Sequence, residues 1–249
     1  MVRSGGNLGF AGGNNVGIRL AQVEGANWFW LLNSDTAVHA DALAHLIARA
    51  LARPDAGIVG STLLYHDAPG EVQALGGAAM NPRTFVTIHI GIGSRADQVP
   101  ADPAAVEVQL AYVVGASMLV SKAFVEEVGL MQEDYFLYGE EIDWATRAQG
   151  RFGQAWAPQS LVYHKVGKSS AKVMPAYSLR LMLRNKLRYV ERFFPNRLGE
   201  IRRRFWWDWV RHLLKGRFAA ARVTLEVLRG LADGPVVKPG AATMSEKKG

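Results

Sequence analysis

Trp28-Phe29-Trp30-Leu31-Leu32-Asn33-Ser34-Asp35 is the stretch on which the fold turns. Five apolar residues in succession suit a short strand buried on both faces. Asn33-Ser34-Asp35 then lies just beyond the carboxyl end of that strand, where open α/β sheets bind their ligands. Asp is a hard oxygen ligand, suited to Mg²⁺ or Mn²⁺ bridging a diphosphate. A loop Asp is equally at home capping a helix or closing a turn, so Asp35 alone decides nothing.

Working outward, Asn14 to Glu24 reads as a helix with Val16, Leu20 and Val23 on one buried face, stopped at Gly25. Downstream, Asp41 opens a helix to about Ala52, ended by Pro54, and Gly57-Ile58-Val59-Gly60 is a further strand. The alternation predicts a parallel sheet covered by helices. From Leu63 to Pro103, glycine-rich turns and the β-prone Phe85 to Ile90 run predict a meander or hairpin over the sheet edge. Val108 to Val120 is β-prone around Gly115-Ala116-Ser117, and helices follow over Ser121 to Val128 and from Glu140-Glu141 to Ala148. Gln154-Ala155-Trp156 and Leu161-Val162-Tyr163 read as two separate strands. Two helices, Ala176–Phe194 and Arg197–Leu231, complete the pattern, and Asp233 to Gly249 reads as a disordered tail.

Composition bounds the rest. The chain of 249 residues has no cysteine, which removes disulfides and thiolate metal sites and fits a reducing compartment. No basic-then-apolar leader opens it, and no apolar run is long enough to span a bilayer. The net charge of +7 is unevenly spread: residues 1–172 carry 12 Lys/Arg against 16 Asp/Glu, and residues 173–249 carry 17 against 6. A mildly acidic body therefore bears a strongly basic extension. The expected division is a catalytic domain over 1–172, a basic helical extension over 173–232 and a tail over 233–249.

Three further clusters carry candidate chemistry. Gly5-Gly6-Asn7-Leu8-Gly9-Phe10-Ala11-Gly12-Gly13-Asn14-Asn15 precedes the first helix. Glycines let backbone approach a ligand, and a helix N-terminus favours anions, although a capped tight turn explains the same residues. Glu140, Glu141 and Asp143 open a helix, where the macrodipole favours acids in any case. Their aromatic lead-in, Tyr135 to Gly139, also fits a carboxylate held near apolar walls as a general base. His164 ends an apolar strand, and a neutral imidazole suits an Mn²⁺-like ion. Lys165 and Lys168 beside it could neutralise a diphosphate leaving group.

Taken in order, Asn7 to Asn15, Leu31 to Asp35, Gly115 to Val120, Phe136 to Trp144 and Val162-Tyr163-His164 resemble the family 2 glycosyltransferases, especially the bacterial rhamnosyltransferase-like members. The resemblance covers about Asn7 to Ser170. It implies an α/β, GT-A type mixed sheet flanked by helices and followed by a helical extension. It implies an inverting transfer of a sugar, with rhamnose the first lean, from a nucleotide-sugar to a cell-envelope glycan or lipid-linked acceptor. Asp35 and His164 become the ligands of a divalent cation, Mg²⁺ or Mn²⁺. Asn7, Gly12, Gly13, Asn15, Asn33 and Asp35 fall on the donor side, and Gly115, Ala116, Gly139 and Asp143 on the acceptor side. Glu141 stands where the family usually has Asp, so the base is Glu141 or its neighbour Glu140. Members begin with a strand, helix and strand that Met1 to Gly6 replace here, so the nucleotide-binding half is expected to be truncated at its front.

In the extension, Arg180, Arg184, Arg188 and Arg192 recur every fourth residue, and Arg202-Arg203-Arg204 precede Phe205-Trp206-Trp207-Asp208-Trp209-Val210. Arginine beside tryptophan at helical spacing suits a helix lying on an anionic bilayer, and no nucleic-acid recognition motif accompanies it. The expected location is cytoplasmic, peripheral at the inner face of the plasma membrane. Two other readings stay open: a non-catalytic GT-A-like remnant acting as a membrane-surface binding module, and a nucleotidyltransferase on a related sheet.

Overall fold

The computed structural model describes residues 5–165 and 175–231. The chain divides into two compact units, Met1–Met174 and Pro175–Gly249. The expected tail over 233–249 lies outside the described residues.

In the first unit, α1 (Gly9–Val23) leads into β1 (Trp28–Leu32), β2 (Thr36–Val38), α2 (Ala42–Ala52), β3 (Ala56–Tyr65), β4 (Ala68–Leu75), β5 (Gly77–Met80) and β6 (Thr87–His89). Then come α3 (Ala104–Glu107), β7 (Tyr112–Val113), β8 (Ser117–Ser121), α4 (Lys122–Val128), α5 (Glu140–Ala148) and β9 (Gly153–His164). The main sheet runs β1-β8-β3-β9-β2, with β4 on the β3 edge beyond β8. Strands β6, β5 and β7 form a small antiparallel sheet; β5 and β6 fall where a meander is expected, and β7 lies beyond that region.

The main sheet is mixed rather than parallel. Only β3 and β9 pair in parallel, because β8 runs antiparallel between β1 and β3. Alternation along the central strands sorts their side chains to two faces. Ile58 and Val120 meet Ala11, Ile18, Phe124 and Trp144 of the helices on one side. Val59 and Leu119 meet Leu46 and Ala50 of α2 on the other. Helices therefore cover both faces of the sheet.

Three local expectations are corrected. Helix α1 begins at Gly9, not Asn14, and buries Ala11, Gly12, Asn15 and Ile18, while Leu20 and Val23 are exposed. Small residues at its start let it pack closely, which turns the buried face away from the bulkier Leu20 and Val23. Strand β1 buries Phe29 and Leu31 but leaves Trp28 and Trp30 half-covered, because it lies at one end of the sheet order. The two short strands after Phe152 are one, β9. Its register against β3 jumps from Ser61–Ala157 to Thr62–Leu161, so Pro158, Gln159 and Ser160 bulge out. Proline cannot donate to a ladder, and Thr62 Oγ1 donates to the Pro158 carbonyl oxygen at 2.8 Å across the bulge.

The second unit holds α6 (Ala176–Phe193), α7 (Leu198–Leu214) and α8 (Phe218–Leu228). The expected second helix is split because Gly216 takes φ +65°, a conformation that ends α7 and turns the chain into α8. Ala221, Thr224 and Leu228 of α8, Leu181 and Tyr189 of α6, and Ile201 and Phe205 of α7 are buried. The expected arginine stripe of α6 is not a free cationic face. Arg180 pairs with Glu226 of α8, and Arg184 is buried with its Nε donating to Asn185 Oδ1 at 3.1 Å. Among the described residues, no helix is long and apolar enough to cross a membrane.

Candidate active site

The topology forces Asn33 to Asp35 across the strand ends. Those residues carry the chain from β1, at one end of the sheet order, to β2, at the other. Backbone bonds pin the crossing: Asn33 N donates to Ala116 O at 3.1 Å, and Lys165 N donates to Asp35 O at 2.8 Å. Thr36 Oγ1 caps the turn by donating to Asn33 O at 2.7 Å. Thr36 then pairs with His164 in the β2–β9 ladder, which places the carboxylate of Asp35 beside the imidazole.

Asp35 Oδ1 lies 3.2 Å from His164 Nε2. The Asp35 side chain is 53% exposed and that of His164 12%, so one reaches into solvent and the other is held by the fold. The other ring nitrogen, Nδ1, lies 3.0 Å from Gln73 Oε1. Asn33 Nδ2 also lies 3.5 Å from Nε2, so that nitrogen has a donor as well as an acceptor beside it. Gln73 Oε1 accepts from Nδ1–H, which leaves the Nε2 lone pair turned to the Asp35 side.

This donor set fits a hard divalent ion. Two adjacent ligands of an octahedral ion at about 2.1 Å sit about 3 Å apart, close to the observed O–N separation. Among the described residues no group of three His, Asp or Glu side chains gathers at one point. The remaining positions would thus fall to water and substrate oxygens, the usual arrangement for Mg²⁺ with phosphates.

The second half of the site is built by α5 and the loop before it. Phe136 and Tyr138 adopt φ +63° and +69°, and Gly139 φ +107°, an uncommon run for bulky residues. The Phe136 carbonyl oxygen accepts from Phe10 N at 2.7 Å, and a Cβ on Gly9 would lie 2.3 Å from that oxygen, so only glycine fits there. The loop delivers Glu140 and Glu141 into the first turn of α5. Gly115 N donates to Glu141 Oε1 at 3.2 Å, and a Cβ on Gly115 would meet that oxygen at 2.9 Å and the Phe10 ring at 2.4 Å.

The two carboxyls differ in setting. Glu141 is half-buried, and desolvation raises its pKa against the help of the Gly115 N–H. Glu140 is buried, and its Oε2 finds no partner among the described residues. Burial, with the charge of Glu141 beside it, pushes Glu140 up to about 8. Burial likewise raises Tyr112, which faces both carboxylates.

A continuous series of contacts therefore joins the candidates: Glu141 to Gly115, Ala116 to Asn33, and Asp35 to His164. Other predicted residues stand elsewhere. The carboxylate of Asp143 is fully buried, accepting from Tyr135 Oη at 2.9 Å and Arg147 Nε at 2.8 Å, and it faces inward. Asn15 is a buried clamp: its Nδ2 donates to Met131 O and to Glu133 Oε1, both at 2.9 Å, and its Oδ1 accepts from Met131 N at 3.1 Å. Gly12 lies buried against Leu8. The glycine-rich segment is thus largely helix packed on a loop, not a cradle preceding one. Its exposed members are Asn7, whose Oδ1 accepts from Gly9 N at 3.1 Å, and Gly13, beside open space. Lys168 lies outside the described residues.

Gln73 was not singled out from the sequence. A glutamine among Val72, Ala74 and Leu75 in a buried strand is the signal that could have found it, since buried amides need partners. Ser61, Ser117 and Ser160, strung through buried hydroxyl bonds of 2.7 and 2.9 Å with Trp30 Nε1 donating to Ser117 Oγ at 3.0 Å, likewise went unread.

Residues 1–96 match the family model described as glycosyl transferase family 2. No curated protein matches the chain. A solved structure, GalNAc-T7 with UDP, GalNAc and Mn2+, is similar over 71% of this chain at 16% identity, with a TM-score of 0.48. The similarity takes in 34% of that protein, so this chain spans about a third of its length.

Proposed function

We propose that the chain is a metal-dependent, inverting glycosyltransferase of GT-A type that takes a nucleotide-sugar donor. The observation that carries the reading is the meeting of Asp35 and His164 at the strand ends, tied through Asn33, Ala116 and Gly115 to Glu141. The match of residues 1–96 to the family 2 model supports the same class.

In this reading Asp35 and His164 hold Mg²⁺ or Mn²⁺, and Gln73 keeps the imidazole in its ligand tautomer. A bound ion would supply charge neutralisation for the donor diphosphate. Asn33 and the exposed Asn7 and Gly13 lie on the donor side. Gly115, Ala116 and Gly139 shape the acceptor side, and Glu141 takes the proton from the attacking hydroxyl. Its raised pKa suits it to hold that proton. A single displacement inverts the anomeric centre. Rhamnose is the first donor sugar to test, and a cell-envelope glycan on a lipid carrier the first acceptor. Such an acceptor places the enzyme at the cytoplasmic face of the membrane, where the basic helices meet anionic lipid.

Calorimetric titration of nucleoside diphosphates, with and without Mn²⁺, into the chain and its Asp35→Ala variant tests the reading. Binding is expected to require both the metal and Asp35. Equal binding by the variant would remove the metal role, and absence of binding by both would support a non-catalytic body.

A further inference from the structure

Helix α7 has one face committed to its own unit, through Ile201 and Phe205. The opposite side is where a surface helix should be polar. Here it is not. Positions 203, 207, 211 and 214 follow one another at helical spacing and read Arg203, Trp207, Arg211 and Leu214. Trp207 is 64% exposed and Leu214 82%. Just past the turn at Gly216, Phe218 opens α8 and is 69% exposed. Lys215 and Arg217 flank the turn and are exposed as well. Large apolar side chains standing out of the same stripe as arginines are costly in water and need a reason.

Charge selects the partner. The described residues of this unit, 175–231, hold 14 Lys/Arg and four Asp/Glu. Arg184 is buried and Arg180 and Arg222 both pair with Glu226, whereas Arg203, Lys215 and Arg217 stand exposed along α7 and its turn. We infer that Trp207, Leu214 and Phe218 form a shallow insertion tip for an anionic lipid bilayer, with Arg203, Lys215 and Arg217 meeting the headgroups. The tip would lie in the interface plane, tryptophan at headgroup depth and Leu214 and Phe218 below it. The inference rests on the reading that the basic segment works at a membrane, and it names the surface responsible.

Flotation of the full chain with phosphatidylglycerol-containing and pure phosphatidylcholine vesicles, at low and high salt, tests it. The wild type is expected to float with the anionic vesicles and to stay partly bound at high salt, because salt screens charge but not apolar burial. The variant Trp207→Ser/Leu214→Ser/Phe218→Ser keeps every charge, and its three sites are exposed. It is expected to bind at least tenfold more weakly and to lose the salt-resistant fraction. Arg203→Gln/Arg217→Gln is expected to lose preference for anionic over neutral vesicles. Helical circular dichroism and the thermal midpoint should be unchanged in both variants, which reports that they are folded. If the serine variant floats like the wild type, the tip is wrong while membrane association survives. If the wild type floats with neither vesicle and instead retards a nucleic-acid duplex, the membrane reading and the tip both fall.

Discussion

Two places in the first unit bring carboxylates to the polypeptide's interior, and they are treated in opposite ways. Glu107, on α3, accepts from Arg49 Nε and Nη2 at 3.0 and 2.7 Å, pairs with Arg53, and accepts from Trp156 N at 2.8 Å. Asp55 holds Arg53 from the other side. Glu140 and Glu141, on α5, have each other, the Gly115 N–H and an oxygen without a partner. One helical turn further on, Asp143 is saturated in the manner of Glu107, by Arg147 and Tyr135. Carboxylates that fasten the fold have been given cations. Among the described residues no cation pairs with Glu140 or Glu141, burial raises both pKa values, and in the proposed reading this pair is kept for chemistry.

The largest expected effect falls on the cation-free pair. In the proposed reading Glu141→Gln removes the base and keeps the shape, so turnover should fall about 10²- to 10⁴-fold. Metal-dependent nucleotide binding should persist, and stability should hold or rise. A loss of only a few fold would transfer the role to Glu140 and break the division between the two acids.

Glu107→Ala should act the other way, on the fold. It takes the carboxylate from Arg49, leaves Arg53 with Asp55 alone and the Trp156 N–H without its acceptor, at a cost of about 3 kcal/mol, less than a fully buried pair because both arginines reach solvent. The urea midpoint reads this directly. A change below about 1 kcal/mol would mean the cluster is a surface decoration.

These two carboxylate settings were not equally legible. The acids of α5 were read correctly as the start of a helix, because macrodipole and spacing are local signals. So was the placement of Asp35 beyond the end of β1, and the helix expected over Ser121 to Val128, where Ser121 proves to be the cap, its Oγ accepting from Phe124 N at 3.1 Å. Glu107 carries no local signal. It meets Arg49 from 58 positions away, and only the closed sheet puts Trp156 beside it. The same holds for Asn15, whose partners Met131 and Glu133 are more than a hundred positions distant. The resemblance put it on the donor side, yet it fastens α1. Helix α1 itself was read five residues short, since four glycines over Gly9 to Gly17 argue against helix until close packing overrides propensity.

A smaller effect sharpens the comparison through pH. Glu140 titrates near 4.5 when unfolded and at about 8 in the fold. The native state therefore holds a proton that the unfolded chain releases, and stability falls as pH rises from about 4.5 through 8. Glu140→Gln should remove that slope. The variant should match the wild type near pH 4 and exceed it by about 2 kcal/mol at pH 8, given 1.4 kcal/mol per unit and relaxation around the pair. Parallel denaturation curves across this range would show that Glu140 is paired after all.

The smallest expected change falls at the proposed metal side, where the imidazole faces a neutral acceptor. Gln73 accepts from His164 Nδ1–H without adding charge. Gln73→Leu leaves that N–H without a partner and frees the ring to rotate, so Mn²⁺ affinity, measured without nucleotide, should fall about tenfold. Gln73→Glu restores the acceptor and adds a negative charge, which makes the imidazole a stronger ligand and should tighten Mn²⁺ above the wild type. Weak binding by the first variant and tight binding by the second would mean that the native glutamine leaves some affinity unused. In the proposed reading, a site that held an ion too firmly would also hold the diphosphate that shared it and slow its release.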